Sequence, residues 1–305
     1  MPKVLLTGSR GLIGQKILAR MSGEEDFNIF TTSRSQDFKN KNPKISYKAL
    51  DITERASFQK LIKKIQPDFL IHTAAMAQVD ECERQKELCW KTNVEAVKTV
   101  VESADPQRTH LIHFSTDFVF DGELGLYREQ DLPNPPAYYG LSKWESEKII
   151  QSYAGPWTLF RVLLVYGWTP ELHRTNIVLW TLENLEKGRT IRVAQDQYRM
   201  PTLAEDIAEV VYQSIQKRAV GLYHICGPER LSIFEIAKQT AECFGLPTSL
   251  LQPVLTKDLK ESAKRPLKTG FVIEKAKHNL DYHPRNLREG LEIVKTQMHE
   301  SKIQN

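Results

Sequence analysis

The amino-acid sequence predicts an α/β protein built around a doubly wound parallel sheet. Over residues 1–167, short runs of β-branched and large apolar residues alternate with longer segments of helical periodicity. This alternation is typical of parallel strands that are joined by right-handed helical crossovers. A glycine-rich turn also follows the first apolar run, at the edge where such sheets bind their ligands.

Six strands and four helices are predicted in this first region. The strands are the apolar runs Lys3–Thr7, Asn28–Ser33, Ile45–Leu50, Asp68–Thr73, His110–Ser115 and Trp157–Val165. The helices are the segments with apolar residues three or four positions apart, namely Leu12–Met21, Arg55–Ile65, Glu83–Ser103 and Tyr139–Gln151. We expect the hydroxyl of Thr53 to cap the second of these helices.

The pattern becomes less regular after Gly167. Helices are predicted over Asn176–Leu185, Leu203–Gln216 and Ser232–Phe244, and a strand over Leu222–Ile225. Ser232 and Glu235 have the spacing of a capping box. We therefore expect residues 1–167 to form a core domain. Residues 168–305 are expected to form mainly a smaller lobe that faces the substrate, with some segments returning to the core domain.

The composition limits the classes of function. Of the 305 residues, 41% are hydrophobic and 26% are charged, and the net charge is only +4, which favours a soluble globular protein and not a nucleic-acid binder. No apolar run approaches the ~20 residues that span a bilayer, and no signal peptide is recognised, so we expect no membrane association and a cytoplasmic location. No Cys-x-x-Cys pair is present, so neither a metal site nor a disulfide framework is predicted, although Cys82 and Cys89 are spaced to share a helix face.

The glycine-rich turn after the first strand is the first motif with chemical meaning. Three glycines at intervals of three residues allow a tight turn, a close approach of a pyrophosphate to backbone N–H groups and close packing of the next helix. The N-terminus of that helix adds a partial positive charge for the phosphates. The motif predicts dinucleotide binding by Gly8, Ser9, Arg10, Gly11, Leu12, Ile13 and Gly14.

The residues after the second strand indicate which dinucleotide is bound. A site for NAD(H) usually has Asp or Glu here, which accepts a hydrogen bond from the ribose 2′-hydroxyl. This segment has no acidic residue and offers Arg34 together with serine hydroxyls, among them that of Ser33. A guanidinium and hydroxyls suit a 2′-phosphate, so the sequence favours NADP(H). The alternative is an ordinary surface arginine.

Tyr139 and Lys143 are the candidate catalytic pair. Their four-residue spacing places both side chains on one helix face, one turn apart. A neighbouring ammonium favours a phenolate, so we expect Lys143 to lower the pKa of Tyr139 and make it an acid–base catalyst. The same spacing is common in exposed helices. Its position after a strand of a nucleotide-binding sheet favours the catalytic interpretation.

Thr116 and Asp117 follow the fifth predicted strand. A hydroxyl at this edge of the sheet suits hydrogen bonding to a substrate carbonyl, and we assign that role to Thr116. For Asp117 two interpretations stay open, because its carboxylate either contacts substrate hydroxyls or forms a turn.

These motifs occur in an order that resembles the dTDP-4-dehydrorhamnose reductase family of extended short-chain dehydrogenases/reductases. The resemblance rests on Thr7–Gly14, Ser115–Gly122, Tyr139–Lys143, Arg161–Gly167 and Asp196–Thr202, and it spans roughly residues 3–290. It implies a Rossmann-type sheet with a smaller C-terminal substrate-binding lobe and NADP(H) as the cofactor. It also implies a reductase that acts on the 4-keto group of a nucleotide-linked deoxysugar. A homodimer is expected by analogy only.

The resemblance further implies roles for individual residues. The catalytic trio is Thr116, Tyr139 and Lys143, and Asn93 supports a proton-relay water near the lysine. Besides the glycine turn, Ser33 and Arg34, the residues implied to contact the cofactor are Asp51, Ile52, Ala74, Ala75, Tyr139 and Lys143. The residues implied to contact the substrate are Val79, Thr116, Asp117, Phe118, Leu164, Gln197 and Arg199.

Three positions depart from the family's pattern. Leu164 stands where the sugar-nucleotide reductases usually have Trp, Ala77 where they have Thr, and Arg199 where a small residue precedes Pro-Thr. The segment around Arg199 is similar to the regulatory beta subunit of methionine adenosyltransferase, a relative that binds NADP and works mainly as a partner protein. The alternatives to the predicted reductase are therefore a non-catalytic NADP-binding regulatory subunit and a reductase of a different carbonyl substrate. An epimerase or dehydratase is disfavoured by the missing acid after the second strand and the missing Glu beside Asp117.

Overall fold

The chain folds around one large parallel sheet with helices on both faces. The computed structural model describes residues 1–24, 26–38, 42–172 and 175–304. The strands are β1 (Lys3–Thr7), β2 (Asn28–Ser33), β3 (Ile45–Ala49), β4 (Phe69–His72), β5 (His110–Thr116), β6 (Trp157–Val162), β7 (Val165–Tyr166), β8 (Ile191–Ala194), β9 (Tyr198–Arg199), β10 (Thr202–Leu203), β11 (Gly221–Ile225), β12 (Leu231–Ser232) and β13 (Leu251–Val254). The α-helices are α1 (Leu12–Ser22), α2 (Arg55–Ile65), α3 (Val79–Arg84), α4 (Lys86–Trp90), α5 (Ala96–Ser103), α6 (Tyr138–Gln151), α7 (Ile177–Glu186), α8 (Ala204–Gln216), α9 (Ile233–Phe244), α10 (Glu274–Leu280) and α11 (Leu287–Gln304).

The topology of the sheet confirms the predicted doubly wound α/β fold. Seven strands lie in the order β11-β6-β5-β4-β1-β2-β3, and all neighbouring pairs are parallel. From β1 the chain moves outward to β2 and β3, and it then returns to the other side of β1 as β4. This reversal places the topological switch point between β1 and β4, where sheets of this class bind ligands. The seventh strand, β11, comes from beyond residue 167.

The alternation of side chains along β1 explains the two helical layers. Val4 and Leu6 point to one face of the sheet and join a cluster that includes residues of α1 and α8. Leu5 points to the other face and joins a cluster that includes residues of α2, α5 and α6. Because both faces of the sheet are covered, β4 is buried along its whole length and β1 is buried from Val4 onward.

A second group of elements packs beside the carboxyl end of the sheet. Helices α7, α9 and α11 share one buried cluster, and β8 with β13 adds a second cluster against α7 and α9. The predicted capping box is confirmed at the start of α9, where Ser232 and Glu235 bond each other's backbone N–H groups at 3.1 and 2.7 Å. Among the described residues, none of the helices has the length and apolarity that crossing a bilayer requires.

Two predicted elements are interrupted in the structure. The single helix expected over Glu83–Ser103 breaks at Gln85, whose backbone is not helical (φ −118°, ψ 62°), and it contains a π-helical turn at Lys91–Glu95. The strand expected over Trp157–Val165 ends at Val162, because Leu164 adopts a positive φ of 37°. The chain then leaves the large sheet, and β7 pairs with β10 instead.

Thr53 does not cap α2, contrary to the prediction. Its N–H and its hydroxyl both donate to Oδ1 of Asp51, each at 2.9 Å. The residue that directly precedes α2 is Glu54, which makes no side-chain capping bond. The Thr53 hydroxyl is thus used within the turn after β3 and is not free for the helix.

Candidate functional site

One cleft of about 1210 Å³ runs along the carboxyl end of the large sheet. Its walls are formed by the loops after the first five strands, by the start of α6 and by segments that follow residue 167. Pockets for a single small ligand are typically ~300–1,000 Å³. The cleft is therefore large enough for a dinucleotide and a second ligand together.

The glycine turn forms one end of this cleft and is built so tightly that side chains are excluded. Gly8 has φ +72°, and a Cβ atom there would lie 2.7 Å from the Ala74 backbone nitrogen. A Cβ atom on Gly14 would lie 2.4 Å from the Gly8 carbonyl oxygen. No side chain caps α1 and no acidic residue occupies its first turn. The first N–H groups of this helix are thus available to an anion in the cleft.

Two arginines lie near the segment that follows β2. Arg34 is exposed and lines the cleft. Arg10, which the glycine motif predicts to bind the dinucleotide, donates to the Ser35 hydroxyl and to the carbonyl oxygen of Asp37. It also lies 3.7 Å from the Glu171 carboxylate. The positive charge of Arg10 is therefore concentrated beside the predicted 2′-phosphate site.

The cleft brings together all but two of the predicted site residues. Those that line it are Gly8, Arg10, Gly11, Leu12, Ile13, Gly14, Ser33, Arg34, Asp51, Ile52, Ala74, Ala75, Val79, Thr116, Asp117, Phe118, Tyr139, Lys143, Leu164, Gln197 and Arg199. Ser9 does not line the cleft, because its side chain is fully buried and its hydroxyl donates to the Thr32 carbonyl at 3.4 Å. Asn93 is also buried behind the wall.

Asn93 supports the cleft wall from behind. Its amide nitrogen donates to the Met76 carbonyl at 2.9 Å, and its oxygen accepts from the Met76 N–H at 2.8 Å. The same nitrogen donates to the Ser142 hydroxyl at 3.0 Å, and Ser142 donates to the Tyr139 carbonyl at 2.7 Å. Asn93 thus joins the loop after β4 to the first turn of α6. The predicted water beside Lys143 stays a prediction.

Tyr139 and Lys143 both line the cleft from α6, but their electrostatics differ from the expectation. Burial raises the pKa of the Tyr139 phenol well above its usual value, and the Thr116 hydroxyl offsets only part of that rise. The expected lowering of the Tyr139 pKa by Lys143 is therefore wrong, because desolvation dominates. Burial also lowers the pKa of Lys143 to about 8, against the opposing effect of Glu147.

Lys143 bonds a histidine behind the wall. Its Nζ atom lies 3.2 Å from Nε2 of His113, and both side chains are almost fully buried. Burial and the neighbouring ammonium lower the pKa of His113 far below its usual value, so this ring is neutral near pH 7. The amine of Lys143 thus has a hydrogen-bond partner inside the protein as well as access to the cleft.

Asp117 and Arg199, two of the residues predicted to contact the substrate, neutralise each other in the cleft wall. Oδ2 of Asp117 lies 3.4 Å from Nε of Arg199 and accepts a 2.5 Å hydrogen bond from the Thr269 hydroxyl. Arg199 also donates to the Tyr198 and Pro266 carbonyls at 2.7 and 2.6 Å. Although both residues line the cleft as predicted, their polar atoms are bonded mainly to the protein.

The sequence comparison places this chain in a family. The sequence model described as the RmlD substrate binding domain matches residues 2–299. The chain belongs to the RmlD substrate binding domain family. The methionine adenosyltransferase 2 subunit beta of Xenopus tropicalis is 28% identical over 257 residues, which cover 83% of this chain and 75% of that protein. The dTDP-4-dehydrorhamnose reductase of Aggregatibacter actinomycetemcomitans is 26% identical over 308 residues, which cover 97% of this chain and 99% of that protein.

A solved structure supports the fold of this RmlD-family chain. The crystal structure of dTDP-4-dehydrorhamnose reductase from Bacillus anthracis in complex with NADP superimposes with a TM-score of 0.83. The two sequences are 24% identical, and the match covers 97% of this chain and 99% of that chain. At this identity the comparison establishes the shared fold, and the site must be argued from the residues themselves.

Some residues of this RmlD-family site were missed by the sequence analysis. In the cleft wall, Arg265 pairs with Glu261 at 2.7 Å and with Asp80 at 2.6 Å, and Gln197 donates to Glu261 at 3.3 Å. No local motif marks these residues, and the contacts of Arg265 with Asp80 and of Gln197 with Glu261 join segments far apart in the chain. His113 was also missed, although a histidine inside an otherwise apolar strand is a visible signal.

Proposed function

We propose that this chain is an NADP(H)-dependent reductase of a carbonyl group. The observation that carries the proposal is the common cleft, in which the Thr116 hydroxyl, the Tyr139 phenol and the Lys143 amine share a wall with the glycine turn. Proton donors beside a dinucleotide site are the groups that a carbonyl reduction requires. Residues of the smaller lobe complete the opposite wall and are proposed to select the substrate.

The residues present fit a bound NADP(H). The cradle at Gly8 and Gly14 excludes side chains, and the uncapped start of α1 suits a pyrophosphate. Arg34, with Arg10 close by, suits a 2′-phosphate better than a ribose hydroxyl. The NADP in the Bacillus anthracis structure indicates that this fold has room for such a molecule.

The chemistry divides between the cofactor and the protein. When bound, NADPH supplies a hydride for the carbonyl carbon. The proposed general acid is Tyr139, whose buried phenol is protonated at neutral pH and donates its proton to the carbonyl oxygen. Thr116 orients that oxygen with its hydroxyl. Lys143, which is charged below pH about 8, is proposed to hold the ribose hydroxyls beside the nicotinamide of the bound cofactor.

The proposed substrate is the 4-keto group of a nucleotide-linked deoxysugar. Support comes from the similarity to the dTDP-4-dehydrorhamnose reductase of Aggregatibacter actinomycetemcomitans, which extends over nearly the whole chain. The size of the cleft supports it as well. Leu164 lies on the wall at a strained backbone position with φ 37°. We infer that Leu164, in place of the family's usual Trp, changes the contact surface offered to the sugar.

The alternative is a regulatory subunit that binds NADP without reducing a ketone. It is favoured by the relatives named methionine adenosyltransferase 2 subunit beta and by the Asp117–Arg199 pair, whose polar atoms are used internally. One experiment separates the two functions. NADPH oxidation is followed against nucleotide-linked 4-keto sugars and simple ketones. Turnover of a keto sugar supports the reductase, whereas NADPH binding with no turnover of any ketone contradicts it and favours the regulatory subunit.

A further inference from the structure

His113 lies on β5, directly behind the helix that carries Lys143. Its Nε2 atom is 3.2 Å from the Lys143 Nζ atom and 3.1 Å from the Ser146 hydroxyl oxygen. The exposed fraction is 1% for His113 and 3% for Lys143, so water does not compete effectively for these contacts. Ser146 belongs to the same helix and donates to the Lys143 carbonyl at 2.7 Å. The imidazole therefore contacts two groups of the turn that carries the lysine.

The hydrogen-bond roles of these atoms depend on the charge of the lysine. An ammonium group can only donate, so a charged Lys143 requires a lone pair on Nε2 of His113 and places the ring proton on Nδ1. A neutral amine can accept, and His113 can then carry its proton on Nε2 and donate to the amine or to Ser146. A neutral imidazole can thus form a hydrogen bond with Lys143 in both charge states of the lysine, because the ring proton can lie on Nδ1 or on Nε2.

A second histidine supports the first. His72 on β4 is paired in register with His113, and the two rings stack with centroids 5.4 Å apart and planes 13° apart. Nδ1 of His72 is 2.8 Å from the Thr7 hydroxyl, which anchors the ring beside the glycine turn. Among the described residues, Nδ1 of His113 and Nε2 of His72 have no hydrogen-bond partner. Nδ1 of His113 is therefore not locked as a donor or an acceptor, and the tautomer can follow the lysine.

We propose that His113 is a positioning residue, whose Nε2 atom holds the amine of Lys143 at the cleft wall in both of its charge states. The catalytic meaning of this contact depends on the proposed reductase function, but the contact itself does not. His72 acts as the stacking support that fixes the plane of the His113 ring.

Several other groups face Lys143 and contribute to its titration. Glu147 on the same helix raises its pKa, and so do the thiols of α3 and α4, whereas burial lowers it. Tyr139 stays protonated over the relevant range and adds no charge. The titratable or charged groups near this amine are His72, Cys82, Cys89, His113, Tyr139 and Glu147. A test must therefore change His113 and leave these neighbours in place.

The test measures the titration of the Lys143 amine directly in the intact 305-residue chain. The protein is labelled with ¹³C at the lysine Cε atoms, and the Lys143 signal is assigned as the one missing from Lys143→Met. We expect the wild-type signal to titrate near pH 8. In His113→Phe the acceptor is lost, and the midpoint should fall by about one to two pH units, since a hydrogen bond to a charged group stabilises that charge. His113→Gln keeps an acceptor, so the Lys143 midpoint in this variant should lie within about half a pH unit of the wild-type midpoint.

The control is His110→Phe, since His110 is a buried histidine of the same strand that bonds Thr158 instead. The proposal is overturned if the Lys143 midpoint in His113→Phe equals that of the wild type. It is also overturned if His110→Phe moves the Lys143 midpoint as far as His113→Phe does. Should His113→Phe fail to fold, ¹⁵N imidazole spectra of the wild type decide. A proton on Nδ1 below the lysine midpoint supports the proposal, and one on Nε2 there contradicts it.

These readouts need no turnover, so a protein without ketone reductase activity would contradict the proposed function and leave this test intact. If the reductase function holds, the alkaline limb of kcat against pH should shift with the Lys143 midpoint in His113→Phe. A loss of kcat with an unchanged limb would indicate a merely structural role and would overturn the proposal.

Discussion

Nε of Arg199 lies 3.4 Å from Oδ2 of Asp117, and each side chain of this ion pair has only 3% of its surface exposed. Burial raises the pKa of Asp117, and the Arg199 charge and the Thr269 hydroxyl oppose that rise. Because both side chains are almost fully buried, the carboxylate depends on Arg199 and on the Thr269 hydroxyl. The guanidinium depends on Asp117 and on neighbouring backbone carbonyls. The pair therefore stabilises the arrangement of this part of the cleft wall and is not a free recognition site for an anion.

Removing one partner of this pair should destabilise the protein. Arg199→Met leaves a buried carboxylate without its counter-charge, and we expect the free energy of unfolding at pH 7 to fall by about 3 kcal/mol. The double variant Arg199→Met with Asp117→Asn should recover part of that loss, as measured by chemical denaturation. Arg55→Met breaks an exposed ion pair with Glu102 and should change stability by less than about 0.5 kcal/mol. Equal effects of Arg199→Met and Arg55→Met would contradict the interpretation.

Tyr139→Phe tests the proton donor. Without the phenolic hydroxyl, turnover of a keto substrate should fall by about 10²- to 10⁴-fold, while the dissociation constant for NADPH changes little. Tyr138→Phe is the matched control, since it removes the hydroxyl of the adjacent, half-buried tyrosine and should keep normal turnover. Steady-state kinetics and cofactor titration measure the two effects separately. Normal turnover in Tyr139→Phe would exclude the proposed mechanism.

Arg34→Ala tests the choice of cofactor. If the guanidinium binds the 2′-phosphate, the dissociation constant for NADPH should rise by about 10- to 100-fold, while that for NADH stays nearly constant. Arg192→Ala removes an exposed arginine of β8 and should leave both constants unchanged. Comparable losses for NADH and NADPH in Arg34→Ala would show that the 2′-phosphate is not recognised there.

Gly14→Ala tests the packing of the glycine turn. The new methyl group would lie 2.4 Å from the Gly8 carbonyl oxygen, so α1 must move away from the turn. We expect a loss of about 1–3 kcal/mol in unfolding free energy and weaker NADPH binding. Gly23→Ala is the control, because nothing lies within 4 Å of its Cβ position. Thermal melting and cofactor titration should separate the two variants, and a fully stable Gly14→Ala would contradict the structure.

Lys143 should make stability depend on pH. Its pKa is about 8 in the folded chain and 10.5 for the ordinary side chain, so the unfolded chain binds more protons between these values. Stability therefore rises with pH in this window, and the cost of burying the charge is complete below pH 8. Lys143→Met should be more stable than wild type by about 3 kcal/mol at pH 7, with the difference disappearing toward pH 10.5.

The control for this pH dependence is Lys148→Met, since Lys148 is an exposed lysine of the same helix. Its effect on the unfolding free energy should be small and constant with pH. A Lys143→Met variant whose stability relative to wild type does not change between pH 7 and 10.5 would show that this amine titrates normally.

Local patterns predicted the framework well. The bounds of β1, β2 and α2 agree with the sequence prediction, as does the capping box of α9, because periodicity and capping act within a few residues. Predictions were wrong where distant contacts override local preference. The helix expected over Glu83–Ser103 breaks near Gln85 and has a π-helical turn at Asn93, and that asparagine is bonded to Met76 after β4.

The sequence by itself determined the alternation of strands and helices, the glycine turn and the positions of the candidate residues at strand ends. These follow from side-chain size, backbone freedom and spacing, which are properties of short segments. Only the tertiary structure decided that Arg199 pairs with Asp117, that Lys143 meets His113 and that burial raises the Tyr139 pKa. Burial and charge pairing depend on which distant segments come together, and packing of the whole chain sets those distances.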